Sequence, residues 1–162
     1  MRSASFDLAT RLGRALLDRR WTVATAESCT GGRIAGAITD VAGSSAWFER
    51  GFVTYTNAAK VEMLGVRPET LAAHGAVSEA TAREMAVGAL AHSTASIAVA
   101  VTGVAGPAGG SPGKPVGLVC FAWARRDAGV ESAALQFEGD REAVRGATVD
   151  RALEGLLERA AR

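Results

Sequence analysis

The sequence offers little to build a metal centre or a disulfide from. Its 162 residues include two cysteines and two histidines. Cys29 and Cys120 lack metal-ligand spacing and sit in different apolar contexts, so they read as reduced thiols. His74 and His92 stand alone, and a zinc site needs more ligands than these can supply. No metal and no other cofactor is expected. No apolar run reaches the ~18 residues of a membrane span. Met1 to Thr10 lacks the apolar segment of a secretory signal. The expected compartment is the cytoplasm, with no membrane partner. Neither sign of charge dominates: 18 Lys and Arg stand against 17 Asp and Glu, a net charge of +1. Without a basic stripe or an RNA-type aromatic motif, nucleic acid is not an expected partner.

What is present is a core. Hydrophobic residues make up 48% of the chain, and its length suits one domain over 1–162. Ser5 to Arg20 has apolar residues at helical spacing, with Ser5 as its expected N-cap. A β-prone run over 21–26 then leads through Glu27-Ser-Cys-Thr-Gly-Gly32 into a helix over 33–39. Gly51 to Thr56 is a second strand. Asn57 is expected to cap a helix over 58–64 that Gly65 stops, Pro68 opens another over 69–73, and Ser78 caps a third over 79–92. Ser96 to Thr102 is apolar almost throughout, as in a strand buried on both faces. A Gly/Pro-rich loop over 103–115 separates it from a strand over 116–124. A strand over 130–137 follows closely enough to pair as an antiparallel hairpin. Asp140 caps the last helix, whose apolar stripe is Val149, Leu153, Leu156, Leu157 and Ala160. Early alternation and a late hairpin predict an α/β fold, a three-layer α/β/α sandwich around a mixed sheet.

Four stretches could carry chemistry. The turn from Glu27 to Gly32 joins a strand end to a helix start, where free N–H groups can hold a phosphate or an oxyanion. Ser28, Cys29 and Thr30 put two hydroxyls and a thiol into that turn, and Gly31 and Gly32 let a backbone approach a ligand closely. Taken alone, it also reads as an ordinary N-cap. Tyr55, the single tyrosine, and Lys60 follow the second strand. A lysine can activate a serine if burial lowers its pKa; a solvated surface lysine is the plain alternative. Thr102, Gly103 and Gly106 open the long loop at the end of the central strand, where open α/β sheets bind ligands. Arg141 and Arg145 lie four apart on one helical face and could clamp a phosphate.

These strings occur together: Ala26-Glu-Ser-Cys-Thr-Gly-Gly32, Gly43-Ser-Ser45, Tyr55-Thr-Asn-Ala-Ala-Lys60, His74-Gly-Ala-Val-Ser78, Thr102-Gly-Val-Ala-Gly-Pro107, Lys114-Pro-Val-Gly117 and Gly139-Asp-Arg-Glu142. In order and in coverage of nearly the whole chain, they resemble the CinA C-terminal domain family. The resemblance is to the stand-alone form, so the extra N-terminal domain of larger members is not expected. The glutamate of the family's Y-S-N-E-A-K string is Ala58 in this chain, and its serine is Thr56, which keeps a hydroxyl.

The resemblance implies an α/β/α fold and metal-free hydrolysis of nicotinamide mononucleotide to nicotinate mononucleotide and ammonia. It implies Ser28 as nucleophile with Tyr55 and Lys60 beside it. On this reading Lys60 takes the serine proton directly or through Tyr55, and N–H groups around Thr30 and Gly31 hold the oxyanion. Substrate binding falls to Cys29, Thr30, Gly31, Gly32, Thr102, Gly103, Gly106, Arg141 and Arg145, with the loop and the two arginines holding the phosphate. The partner is then a small molecule, and a homo-oligomer is expected by analogy. Two alternatives stand beside it: Cys29 as nucleophile, and a nucleotide-binding accessory module with no turnover, related to competence and DNA-damage proteins.

Overall fold

Short apolar strands alternating with amphipathic helices assemble as a three-layer α/β/α sandwich in the computed structural model, which describes residues 1–162. The strands are β1 (Val23–Glu27), β2 (Phe48–Val53), β3 (Ile97–Gly103), β4 (Leu118–Arg125) and β5 (Gly129–Gln136). They form one sheet in the order β2-β1-β3-β4-β5. β1 runs parallel to both β2 and β3, whereas β3–β4 and β4–β5 are antiparallel. The helices are α1 (Ala4–Arg19), α2 (Arg33–Thr39), α3 (Asn57–Leu64), α4 (Pro68–His74), α5 (Glu79–Ala91) and α6 (Arg141–Ala160).

The two sheet faces differ in side-chain size, and the difference sorts the helices. Val23, Ile97, Val99, Val101, Val119, Phe121 and Trp123 point to one face, where they pack with α1, α2 and α6. Ala24, Ala26, Ala98, Ala100, Ala122 and Ala124 point to the other, under α5. Alternating large and small residues along β1, β3 and β4 follow the period of two. Alanines leave room for α5 to sit close, and Gly88 continues this on the helix: a Cβ there would run into the main-chain carbonyl of Leu64. On the opposite face Gly155 of α6 receives the Trp123 indole, whose Nε1 donates to Ala152 O at 3.1 Å.

The helix ends show where local rules held. Helix α2 spans the expected 33–39, and Gly65 ends α3 in the left-handed conformation. Ser78 and Asp140 cap α5 and α6 through their side chains. Two caps moved. Ser3 rather than Ser5 caps α1, accepting from Phe6 N, and Thr56 rather than Asn57 caps α3, accepting from Ala59 N. In each case a hydroxyl one or two residues upstream reaches the same free amides. Strand β2 begins at Phe48 and ends at Val53 rather than spanning 51–56, because its register is fixed by pairing with β1. Leu157 is only half-buried; the α6 stripe instead includes Val144 and Ala152.

Candidate active site

The three parallel strands end on the same side of the molecule, and their connections diverge there. Helix α2 links β1 to β2 across one face, and α3 to α5 link β2 to β3 across the other. Such a divergence leaves a crevice at the carboxyl ends of the strands. Ser28 follows β1 directly and stays tied to β3 through its N–H, which donates to Val101 O at 3.1 Å. The next turn reverses quickly, with Gly31 at φ 57° and Gly32 at φ 103°. Side chains rarely adopt these angles, so glycine is needed there.

Lys60 is the unusual residue of the site. It is 1% exposed. Its Nζ lies 3.0 Å from Ser28 Oγ, 3.0 Å from Thr54 O and 3.3 Å from Tyr55 O. Helix α3 starts at Asn57, so its first turn carries the lysine stem inward under the end of β2. Burial lowers the Lys60 pKa by disfavouring the ammonium. A neutral amine has two N–H bonds and one lone pair. Ser28 Oγ accepts from Lys60 Nζ and lies 3.5 Å from Tyr55 O, so a neutral amine with its N–H bonds on the Thr54 and Tyr55 carbonyls would turn its lone pair to the serine hydroxyl.

The crevice is a cavity of about 280 Å³ lined by Ser28, Cys29, Tyr55, Asn57 and Lys60 on one side and by Thr102 to Gly106 on the other. Ala76 and Val77, between α4 and α5, close a third wall. Thr102 Oγ1 pins that wall by donating to Ala76 O at 2.8 Å. Arg141, at the start of α6, is the one arginine on the lining. It donates to Gly106 O at 2.9 Å and to the Tyr55 phenol oxygen at 3.0 Å. Tyr55 therefore meets Lys60 through its main-chain carbonyl, while its phenol is joined to Arg141 on a residue that is 57% exposed.

The structure gathers Ser28, Lys60, Tyr55, Cys29, Thr102, Gly103, Gly106 and Arg141 at one cavity. Thr30, Gly31, Gly32 and Arg145 lie behind it. Arg145 donates to Cys29 O at 3.0 Å and Thr30 O at 3.1 Å, so its guanidinium is engaged by the turn and does not line the cavity. The start of α2 is not free for an anion either. Glu27 Oε1 accepts from Thr30 Oγ1 at 2.6 Å and from Ile34 N at 2.8 Å, and Oε2 accepts from Ala35 N at 3.0 Å. An internal carboxylate has taken the place of an external one. Gly31 N is likewise used, donating to Ser28 O at 3.0 Å, whereas the Cys29 and Thr30 amides have no protein acceptor. Burial pushes the Cys29 thiol up to about 11, so it is protonated at neutral pH. A thiol in that state lacks the thiolate character expected of a cysteine activated at a helix start.

Sequence reasoning missed Asn57, Ala76 and Val77 on the lining and the Thr54 carbonyl on Lys60. The string His74-Gly-Ala-Val-Ser78 was the signal that could have found two of these. Main-chain acceptors leave no signal in residue types.

Known proteins resemble this chain in sequence and in fold. The family model described as the CinA C-terminal domain matches residues 5–160. A protein from Escherichia coli (strain K12) named nicotinamide-nucleotide amidohydrolase PncC is 56% identical over 155 residues, covering 95% of this chain and 93% of its own length. One of the same name from Pseudomonas putida is 59% identical over 152 residues, covering 93% and 94%. A crystal structure from Agrobacterium tumefaciens, described as competence/damage inducible protein CihA, superposes with a TM-score of 0.96. It is 50% identical and covers 100% of this chain and 98% of that one.

Proposed function

We propose, from the premise that this chain belongs to the CinA C-terminal domain family, that it is a nicotinamide-nucleotide amidohydrolase. It converts nicotinamide mononucleotide to nicotinate mononucleotide and ammonia, with Ser28 as nucleophile and Lys60 as general base. Relatives of that name at 56–59% identity support the activity. The observation that carries the mechanism is the 3.0 Å approach of Lys60 Nζ to Ser28 Oγ in a buried setting.

Neutral Lys60 takes the hydroxyl proton as Ser28 Oγ attacks the carboxamide carbon. The ammonium so formed is held by three acceptors at once. The tetrahedral oxyanion is stabilised by the Cys29 and Thr30 amides, which have no other acceptor. Lys60 returns its proton to the departing nitrogen, ammonia leaves, and an acyl-enzyme remains on Ser28. Water then attacks that ester, giving one proton to Lys60 and its oxygen to the acid. Lys60 hands the proton back to Ser28 Oγ. The Tyr55 main-chain carbonyl steers the lysine, so the phenol is not required as a relay.

Arg141 supplies the cationic contact for the ribose phosphate, and remote binding of this kind fixes the amide against the serine. The cavity, at about 280 Å³, sits near the ~300 Å³ lower end of small-molecule sites, in keeping with a mononucleotide. A homo-oligomer acting on a small molecule, without nucleic acid, completes the reading; sedimentation velocity measures the first. The deciding experiment is ammonia release from nicotinamide mononucleotide by the purified protein and by Ser28→Ala. Turnover lost in the variant supports the reading. Binding without ammonia from the wild type supports an accessory module instead.

A further inference from the structure

Glu27 is 1% exposed, and its carboxylate has no solvent to stabilise it. Its three partners follow the nucleophile along the chain: Thr30 within the turn, Ile34 and Ala35 in the first turn of α2. The N-cap position of α2 is Gly32, which has no side chain to cap with. Glu27 reaches across from the end of β1 and takes over that role. A buried carboxylate is costly unless it is fully hydrogen-bonded, and charge-assisted bonds to amides at a helix start meet that need.

Apart from Glu27, the backbone of the turn is held by main-chain bonds and by Arg145, and no other side chain inside the fold binds it. It passes through two consecutive left-handed glycines, and main-chain bonds from Gly31 N to Ser28 O and from Arg33 N to Thr30 O close its two halves. Arg145 grips the opposite side through the carbonyls of Cys29 and Thr30. In a trans peptide the N–H points opposite to the C=O. Holding the Cys29 carbonyl toward Arg145 therefore turns the Thr30 N–H away from it.

We propose that Glu27 is a positioning residue for this reaction. By binding Thr30 Oγ1 and the α2 amides from inside the fold, it sets the direction of Ser28 Oγ and of the Cys29 and Thr30 amides without touching substrate. This rests on the amidase reading above. It separates Glu27 from the anion-binding role that a helix start would otherwise have had, and gives a function to a buried acid that the chemistry itself does not use.

The test compares Glu27→Gln, Thr30→Val and Thr30→Ser for kcat, KM and thermal midpoint with nicotinamide mononucleotide. The glutamine side chain would keep the shape but oppose an NH₂ group to donors. Misplacement of about 1 Å at a reacting centre costs on the order of 10²-fold. Glu27→Gln is therefore expected to lower kcat by roughly 10- to 100-fold at nearly unchanged KM. Thr30→Val, which removes one of the three bonds, falls between it and wild type, and Thr30→Ser recovers most of kcat. Wild-type kcat in folded Glu27→Gln, or a loss confined to KM, overturns the proposal. If Glu27→Gln fails to fold, the Thr30 pair decides: equal kcat in Val and Ser variants overturns it. Ser28→Ala in the same assay separates the two claims, since its full activity would sink the amidase mechanism itself.

Discussion

Lys60 Nζ and Ser28 Oγ stand 3.0 Å apart although 32 residues separate them in the chain. The serine comes from the end of β1 and the lysine from the first turn of α3, and parallel pairing of β1 with β2 is what brings those ends together. Two carbonyls on the far side of the amine, from Thr54 and Tyr55, fix its orientation. Substitution and pH should therefore act on the base, the thiol, the phenol and the packing in separable ways.

Replacing the base should cost more than replacing the neighbouring thiol. Lys60→Met is expected to lower kcat by about 10²- to 10⁴-fold, the usual worth of general base catalysis. Cys29→Ala should keep most of its activity, because the native thiol is held protonated by burial. Steady-state ammonia assays of both variants check this, and an inactive Cys29→Ala with an active Ser28→Ala would move the nucleophile to Cys29.

Activity should rise with pH. Only neutral Lys60 can accept the serine proton, and burial lowers its pKa below the ordinary 10.5. The acid limb of kcat/KM should therefore fall below that value with a single proton dependence. Lys60→Arg should not recover it at any pH up to ~10, since a guanidinium stays protonated. A flat profile from acid to alkaline pH would remove Lys60 as the titrating base.

Tyr55 and Arg141 should separate cleanly. Tyr55→Phe leaves the carbonyl that binds Lys60 untouched, so kcat should hold. Arg141→Ala removes the cation from the lining. A charged hydrogen bond is worth ~1.5–3 kcal/mol, so KM should rise by roughly 10- to 100-fold. Loss of kcat in Tyr55→Phe would return the phenol to the proton path.

Alkaline stability should report on the buried thiols. Burial raises Cys29 and Cys120 from 9.0 to about 11. Their folded pKa exceeds the unfolded one, so their contribution is whole below pH 9 and is lost as pH rises toward 11. Urea midpoints of wild type and Cys120→Ala should therefore converge above that range after differing by a constant amount below it. Parallel curves throughout would show that the thiol is not responsible.

Gly88→Ala should destabilise the fold without altering the site. The added methyl would strike the Leu64 carbonyl. Overpacking of this kind costs about 1–3 kcal/mol. Denaturant unfolding measures it, with kcat/KM per folded molecule expected to remain at the wild-type value.

Local rules reached far into this chain. The span of α2, the Gly65 stop and the caps at Ser78 and Asp140 depend on neighbours within a turn, and each stood where residue types placed it. The β4–β5 hairpin was legible for the same reason. Edge strand β2 was shifted by several residues, because pairing with β1 rather than composition sets its ends. At the site, Ser28 and Lys60 could be named from their strings. The uses of Glu27 and Arg145 could not, since both look like anion-site or surface residues until their partners are known.

By itself, then, the sequence determined the alternation of elements, the burial of the central strand on both faces, and the residue types able to attack an amide. Periodicity and capping are properties of adjacent residues, so they are readable in one dimension. Only the tertiary structure decided which side chains face the cavity, which carbonyls hold the amine, and that the start of α2 is closed by an internal carboxylate. Burial, orientation and pKa depend on groups brought together from distant parts of the chain, and no local pattern encodes them.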